Sequence, residues 1–140
     1  MSRIYLDSNL YVYYFEGHSE FGLLARSVVE RARQPQHRIL SSLFVLSELL
    51  VDPTRLKDEF RAASLNRFFR SAAVELLPYA PDAVPIYARL RAEHRVKPLD
   101  ALHLACAAWA GTDLFLTNDA ALKQLTVSGI GFITGFDAQF

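Results

Sequence analysis

The chain has 140 residues, of which 51% are hydrophobic and 21% charged, and its 15 basic and 15 acidic side chains cancel to zero net charge. A chain of this length is expected to form one domain over residues 1–140, and no apolar run approaches the ~18 residues of a membrane span, so a membrane protein is not expected. Cys106 is the single cysteine, which rules out an internal disulfide; in Ala105-Cys106-Ala107-Ala108 it reads as a small buried hydrophobe. Met1-Ser2-Arg3 runs directly into strand-like sequence without the pattern of a secretory leader, and the expected compartment is the cytoplasm.

Arg3 to Leu6 reads as a strand, and Asp7-Ser8-Asn9 supplies good helix N-caps ahead of the aromatic run Tyr11 to Phe15. Phe21 to Ala32 reads as an amphipathic helix, Arg38 to Ser41 as a second strand, and Ser42 to Val51 as a largely buried helix that Asp52-Pro53-Thr54 should stop. Leu56 to Phe69 is a further amphipathic helix, followed by a short strand from Val74 to Leu77 that Pro78 closes. A helix from about Asp82 to His94 leads through Arg95-Val96-Lys97-Pro98 into Leu99 to Ala110, which is apolar nearly all round and belongs at the centre. Asp113 to Leu116 reads as a strand, Asp119 to Leu125 as a short helix and Gly131 to Thr134 as a last strand. Strands alternating with helices along the whole chain argue an α/β fold, a mostly parallel sheet covered on both faces.

Four acids sit in or just after apolar runs: Asp7 after Ile4-Tyr5-Leu6, Glu48 within Leu43 to Val51, Asp100 after Leu99, and Asp119 after Leu114-Phe115-Leu116. An ionised carboxylate buried alone costs several kcal/mol, so it is usually paired with a cation or bound to a metal. Lys and Arg are missing beside most of the four, which points to a divalent cation gathered by the fold. Asp7 and Asp119 follow strands, where open α/β sheets bind their ligands, and hard Mg²⁺ or Mn²⁺ would neutralise carboxylates that otherwise repel. Taken singly, Asp7 and Asp119 read equally well as N-caps and Asp100 as a first-turn acid favoured by the helix dipole. Glu48, inside an apolar helix, is the hardest of the four to read as ordinary structure.

Setting the four acids aside leaves 11 acidic against 15 basic residues. Most of the basic residues are Arg, among them Arg55, Arg61, Arg67, Arg70, Arg89, Arg91 and Arg95, a residue suited to phosphate. That leaves contact with a phosphate backbone open, beside the plainer reading of solvated helix faces.

The motifs Ile4-Tyr5-Leu6-Asp7-Ser8-Asn9, Ser47-Glu48-Leu49-Leu50, Leu99-Asp100-Ala101-Leu102-His103-Leu104-Ala105 and Leu116-Thr117-Asn118-Asp119 together resemble, in order and spacing, the acidic motifs of PIN-domain ribonucleases. Within that superfamily the chain is most similar to the VapC toxins of bacterial toxin–antitoxin pairs. The resemblance covers essentially the whole chain. It implies a Rossmann-like sheet, a Mg²⁺ or Mn²⁺ site, endonucleolytic cleavage of RNA, a homodimer, and inhibition by a cognate antitoxin protein.

With a metal granted, Asp7 and Asp100 are expected as the most direct ligands, Asp119 as a direct or water-mediated ligand, and Glu48 as a ligand or the base orienting the attacking water. Ser8, Asn9 and Thr117 are short polar residues at strand ends, suited to hydrogen-bond the ligands or equally to serve as turn and cap residues. Arg95 and Lys97 flank the entrance to the Asp100 helix and are the preferred phosphate contacts. His103 lies one turn beyond Asp100; a core histidine with one satisfied nitrogen is the stronger expectation and metal ligation the weaker. His18, His37 and His94 have no acid or Cys at zinc-like spacing. Asp7-Ser8-Asn9 lacks the second Asp of dehalogenase-type phosphatases, and no phosphate loop or dinucleotide fingerprint is present.

The alternative from another class is a catalytically weak PIN fold acting as a protein-interaction module. Tyr11, Tyr13, Tyr14, Phe15, Phe60, Phe68 and Phe69 exceed what a small core needs and could form a dimer or partner groove, although most should be core.

Overall fold

The computed structural model describes residues 2–17 and 20–140. Among the described residues five strands form one sheet: β1 (Ser2–Leu6), β2 (His37–Ser42), β3 (Val74–Leu77), β4 (Thr112–Leu116) and β5 (Ile130–Thr134). Seven α-helices connect and cover it: α1 (Ser8–Glu16), α2 (Gly22–Ala32), α3 (Leu43–Arg55), α4 (Glu59–Arg70), α5 (Val84–His94), α6 (Pro98–Ala110) and α7 (Ala120–Lys123). The strand order is β3-β2-β1-β4-β5 and every pairing is parallel, as the strand–helix alternation implied.

The chain steps outward from β1 through β2 to β3, then returns to the other side of β1 to lay down β4 and β5. Right-handed crossovers therefore place α1 to α4 on one face and α5, α6 and α7 on the other. The direction of winding changes between β1 and β4, and the connections leaving those strands diverge to opposite faces. A crevice opens beyond their carboxyl ends.

Alternation along each strand sorts the core. Tyr5 points to the α6 side, where its ring stacks on Phe115 of β4 at 5.1 Å and 5°. Ile4 and Leu6 therefore face α1 and α2, beneath the fully buried Leu10, Tyr11, Val28 and Val29. Residues 101 and 103–108 of α6 are buried, and only its ends surface, at Leu99 and Trp109. The expectation of a central helix there is met. Cys106 is buried as a hydrophobe, and burial pushes its thiol up to about 11.

Three boundaries differ from those expected: the end of α3, the start of α4, at Glu59 and not Leu56, and the extent of α7. Asp52-Pro53-Thr54 does not stop α3, which continues to Arg55 with Pro53 buried inside it. Pro53 falls in the last turn, where its ring forfeits one bond to the Leu49 carbonyl, while the Leu56 amide still bonds Asp52 at 2.9 Å. The stop comes at Lys57, in the left-handed region at φ 54°, after which Asp58 caps α4 through the Arg61 amide. The helix expected from Asp119 to Leu125 is only Ala120–Lys123, with Asp119 as its N-cap.

Two glycines fix the end of α6 and the approach of β5. Gly111 has φ +75° with open space around a would-be Cβ, whereas at Gly129, φ +97°, a Cβ would lie 2.3 Å from the Ala108 carbonyl oxygen. In urea unfolding Gly111→Ala should cost about 1–2 kcal/mol, the left-handed penalty alone. Gly129→Ala should cost a further 1–3 kcal/mol, roughly, because backbone must move to admit the methyl group.

Candidate active site

Asp7 is the first residue beyond β1. Its amide donates to the Leu116 carbonyl of β4 at 2.9 Å, so the side chain is set by the pairing of the two central strands. It is 4% exposed. Oδ1 accepts the Ser8 amide at 2.8 Å as the N-cap of α1, and Oδ2 accepts the Thr117 hydroxyl at 2.7 Å. Thr117 in turn accepts the Asp119 amide at 3.1 Å, tying the end of β4 to the end of β1. Asp119 Oδ1 accepts the Ala121 amide at 2.8 Å. The cap reading of Asp7 and Asp119 is thus correct as local structure, and in each a cap bond engages Oδ1.

Asp100 enters from the opposite face on the first turn of α6, half-buried, and Glu48 from the middle of α3. Burial raises the Asp7 carboxyl above the usual carboxylate range, the Thr117 and Ser8 hydrogen bonds and His103 hold it down, and Glu48 pushes it further up. Burial also raises Asp100, followed by the charges of Asp7, Asp119 and Glu48, with His103 opposing. The fold therefore brings all four acids into one electrostatic cluster. Among the described residues no Lys or Arg pairs with any of them.

The donor set is oxygen-only and anionic, the chemistry of a site for a hard divalent ion. As the side chains stand, no three His, Cys, Asp or Glu groups among the described residues converge on one point within ligating reach. The acids share a field without closing a cage.

Of the supporting residues, Thr117 acts through its hydroxyl, and Ser8 contributes its backbone amide to Asp7. Asn9 Oδ1 is buried without a protein partner. Arg95 and Lys97 are exposed in the α5–α6 connection, with Arg95 closing α5 in the left-handed region at φ 53°. His37 packs edge-on against Phe140, His94 is exposed in the last turn of α5, and His18 lies outside the described residues.

His103 is more engaged than the sequence suggested. It is 1% exposed, with Nε2 2.6 Å from Glu48 Oε1 and Nδ1 2.9 Å from the Tyr5 hydroxyl, which lies 2.9 Å from Ser42 Oγ. Both ring nitrogens are satisfied, not one. Burial keeps the Tyr5 phenol far above its ordinary range, and so protonated. Sequence reading missed Tyr5 and Ser42 because each looks like an ordinary strand residue; a tyrosine in the most buried strand, needing a partner for its hydroxyl, was the available signal.

A groove of about 560 Å³ adjoins the site between α1, α3 and α4. Tyr11, Tyr14, Phe15, Leu49, Phe60 and Leu65 form its apolar wall, Arg26 and Arg61 add cationic edges, and Glu48 lines it as well as belonging to the acid cluster. Phe60 is 77% exposed, whereas Tyr11 and Phe69 are core. The aromatic excess is thus divided between core and groove.

The raised acids carry a pH signature. Between the unfolded value of 3.8 and the raised folded values, the native protein binds more protons than the unfolded chain, so stability falls as pH rises through that window. In metal-free protein Asp100→Asn should melt higher than wild type at pH 7, and scanning calorimetry should find the gain shrinking to nothing as pH falls to 3.8.

The model of the family described as PIN domain matches residues 4–127. Among solved structures, VapBC2 from Rickettsia felis, bound to a DNA fragment from its promoter, superposes with TM-score 0.75 at 19% identity, covering 95% of this chain and 98% of that one. VapC20 from Mycobacterium tuberculosis, described as a sarcin–ricin loop cleaving toxin, gives TM-score 0.67 at 17% identity, covering 84% and 90%. VapBC-5 from the same organism gives 0.61 at 23% identity, covering 96% and 99%. Curated proteins give no match. With its family match running from β1 through β4 and taking in every one of the four acids, the chain belongs to the PIN domain family.

Proposed function

We propose that this chain is a metal-dependent endoribonuclease of the VapC toxin type, working in the cytoplasm as one domain over residues 1–140, with Asp7, Glu48, Asp100 and Asp119 holding Mg²⁺ or Mn²⁺. The observation that carries the reading is the shared field of four acids from four elements, in which Glu48 helps raise Asp7, and Asp7, Asp119 and Glu48 help raise Asp100, with no Lys or Arg among the described residues paired to any of them. The solved toxin described as cleaving the sarcin–ricin loop supports RNA as the substrate class. A phosphate backbone, bound through its charge and shape, is the common feature such a site would recognise.

Asp7 and Asp100 would supply the most direct ligand oxygens, Asp119 a direct or water-mediated one, and Glu48 either a ligand or the base that orients the attacking water. A bound divalent ion would lower the pKa of a coordinated water and stabilise negative charge on the phosphate. Thr117 holds Asp7 in the orientation its strand gives it, through the 2.7 Å hydroxyl bond. Arg95 and Lys97, exposed at the approach to the Asp100 helix, would contact the phosphate backbone.

The relatives that are toxin–antitoxin complexes support a cognate antitoxin as partner. The aromatic groove, with Phe60 exposed on its wall and Glu48 lining it, suits an apolar antitoxin segment that covers the site. A homodimer completes the proposed assembly. The groove equally serves the competing reading of a catalytically weak interaction module, but an inert scaffold has no need of four unneutralised acids.

The test is cleavage of a structured RNA pool by purified protein with EDTA, Mg²⁺ or Mn²⁺, alongside Asp7→Asn and Asp100→Asn variants shown to fold. Cutting should require the metal. Each variant should lose more than the roughly 10–100-fold that removing an outer hydrogen-bond partner of a metal ligand costs. Wild-type protein that binds neither ion and cuts nothing would move the interaction module ahead.

A further inference from the structure

Behind Glu48 stands a line of buried polar side chains that the reading above leaves unused. Glu48 Oε1 meets His103 Nε2 at 2.6 Å, His103 Nδ1 meets the Tyr5 hydroxyl at 2.9 Å, and that hydroxyl meets Ser42 Oγ at 2.9 Å. Tyr5, Ser42 and His103 are each at most 1% exposed, on β1, at the β2–α3 junction and on α6. Three separate elements are tied to a fourth, α3, through one carboxylate.

With the imidazole proton on Nε2, His103 donates to Glu48 Oε1, Nδ1 accepts from the Tyr5 hydroxyl, and the Tyr5 oxygen accepts from Ser42. Every bond points the same way, from Ser42 to Glu48. Ser42 is the residue ahead of α3, where a serine hydroxyl ordinarily caps the helix, yet it makes no cap bond and turns to Tyr5 instead. Phe115 stacked on Tyr5 and Phe44 edge-on to His103 at 6.3 Å restrain both rings.

Building on the nuclease reading, we infer that His103 is a positioning residue, held by Tyr5 and Ser42, that fixes the Glu48 carboxylate by engaging Oε1 and leaving Oε2 as the oxygen available to the acid cluster. His103 does not ligate the ion: its Nε2 faces Glu48 and its Nδ1 faces Tyr5, so neither nitrogen has a lone pair free for a metal. The same α6 face carries Asp100 one turn earlier, so a single helix presents one acid directly and steers another.

Two measurements test this separately from the nuclease reading. Long-range ¹H–¹⁵N spectra of the metal-free protein at neutral pH should show His103 as the Nε2–H tautomer, with Tyr5→Phe and Glu48→Gln each shifting the ring nitrogens. An Nδ1–H tautomer in wild type, or nitrogens indifferent to both substitutions, overturns the inference whether or not the protein cuts RNA. Mn²⁺ titration by calorimetry should then show Tyr5→Phe and His103→Ala each weakening binding about 10-fold or more, with His103→Gln, whose amide can still donate to Glu48, recovering part of the loss. In a Glu48→Ala background Tyr5→Phe should add nothing, because the line then has no side chain left to orient. An equal loss in both backgrounds means a purely structural role and overturns the inference. Absence of Mn²⁺ binding by wild type overturns the metal reading and with it the role assigned to Oε2, while the tautomer result still decides the His103–Glu48 arrangement.

Discussion

Uncompensated negative charge at the carboxyl ends of β1 and β4 is the constraint around which this structure is built. The two strands are neighbours, Leu6 pairs with Leu116, and the next residue after β1 is already Asp7. A charge so nearly buried survives only where hydrogen bonds hold it, and here the donors are an amide at a helix start and the Thr117 hydroxyl. These partners lower the energy of Asp7 without cancelling its charge. The remaining field is what Asp100 and its neighbours feel, and the protein tolerates it because the apolar core of the sheet and the buried face of α6 supply the stability that the crevice does not.

The polar line from Ser42 to Glu48 belongs to the same logic. An apolar core that contains a tyrosine hydroxyl and an imidazole must satisfy each of them, since an unpaired buried donor or acceptor costs about 1–3 kcal/mol. Here satisfaction is sequential, and it ends on a carboxylate at the edge of the site rather than within the core. Loss of any one member leaves its neighbour unpaired. The network is therefore more specific in geometry than the hydrophobic contacts surrounding it, which repack more readily.

Glu48 is where the three features of the molecule meet. It belongs to the acid cluster, ends the buried line and lines the aromatic groove between α1, α3 and α4. Its position halfway along α3, between the buried Leu46 and Leu49, gives it one side toward the groove and one toward α6. A ligand seated in the groove would be in contact with the carboxylate that the buried line orients.

Element order, the parallel sheet and the four acids were legible in the sequence because each leaves a local mark: apolar runs of strand length, helical periodicity, and carboxylates standing where apolar residues surround them. Asp7 and Asp119 could be placed at strand ends from their own neighbours alone. Pro53 misled because a proline read locally is a stop, and only the position of the helix end decides whether it falls in a last turn. The groove, and the division of the aromatics between it and the core, required knowing which helix faces which. The link from Tyr5 to Ser42 and His103 joins residues 37 and 98 positions apart. Composition and spacing determine which groups the chain must bury and satisfy; only packing three elements against one another decides which partner satisfies which, because a hydrogen bond depends on distances of a fraction of an ångström that no local pattern encodes.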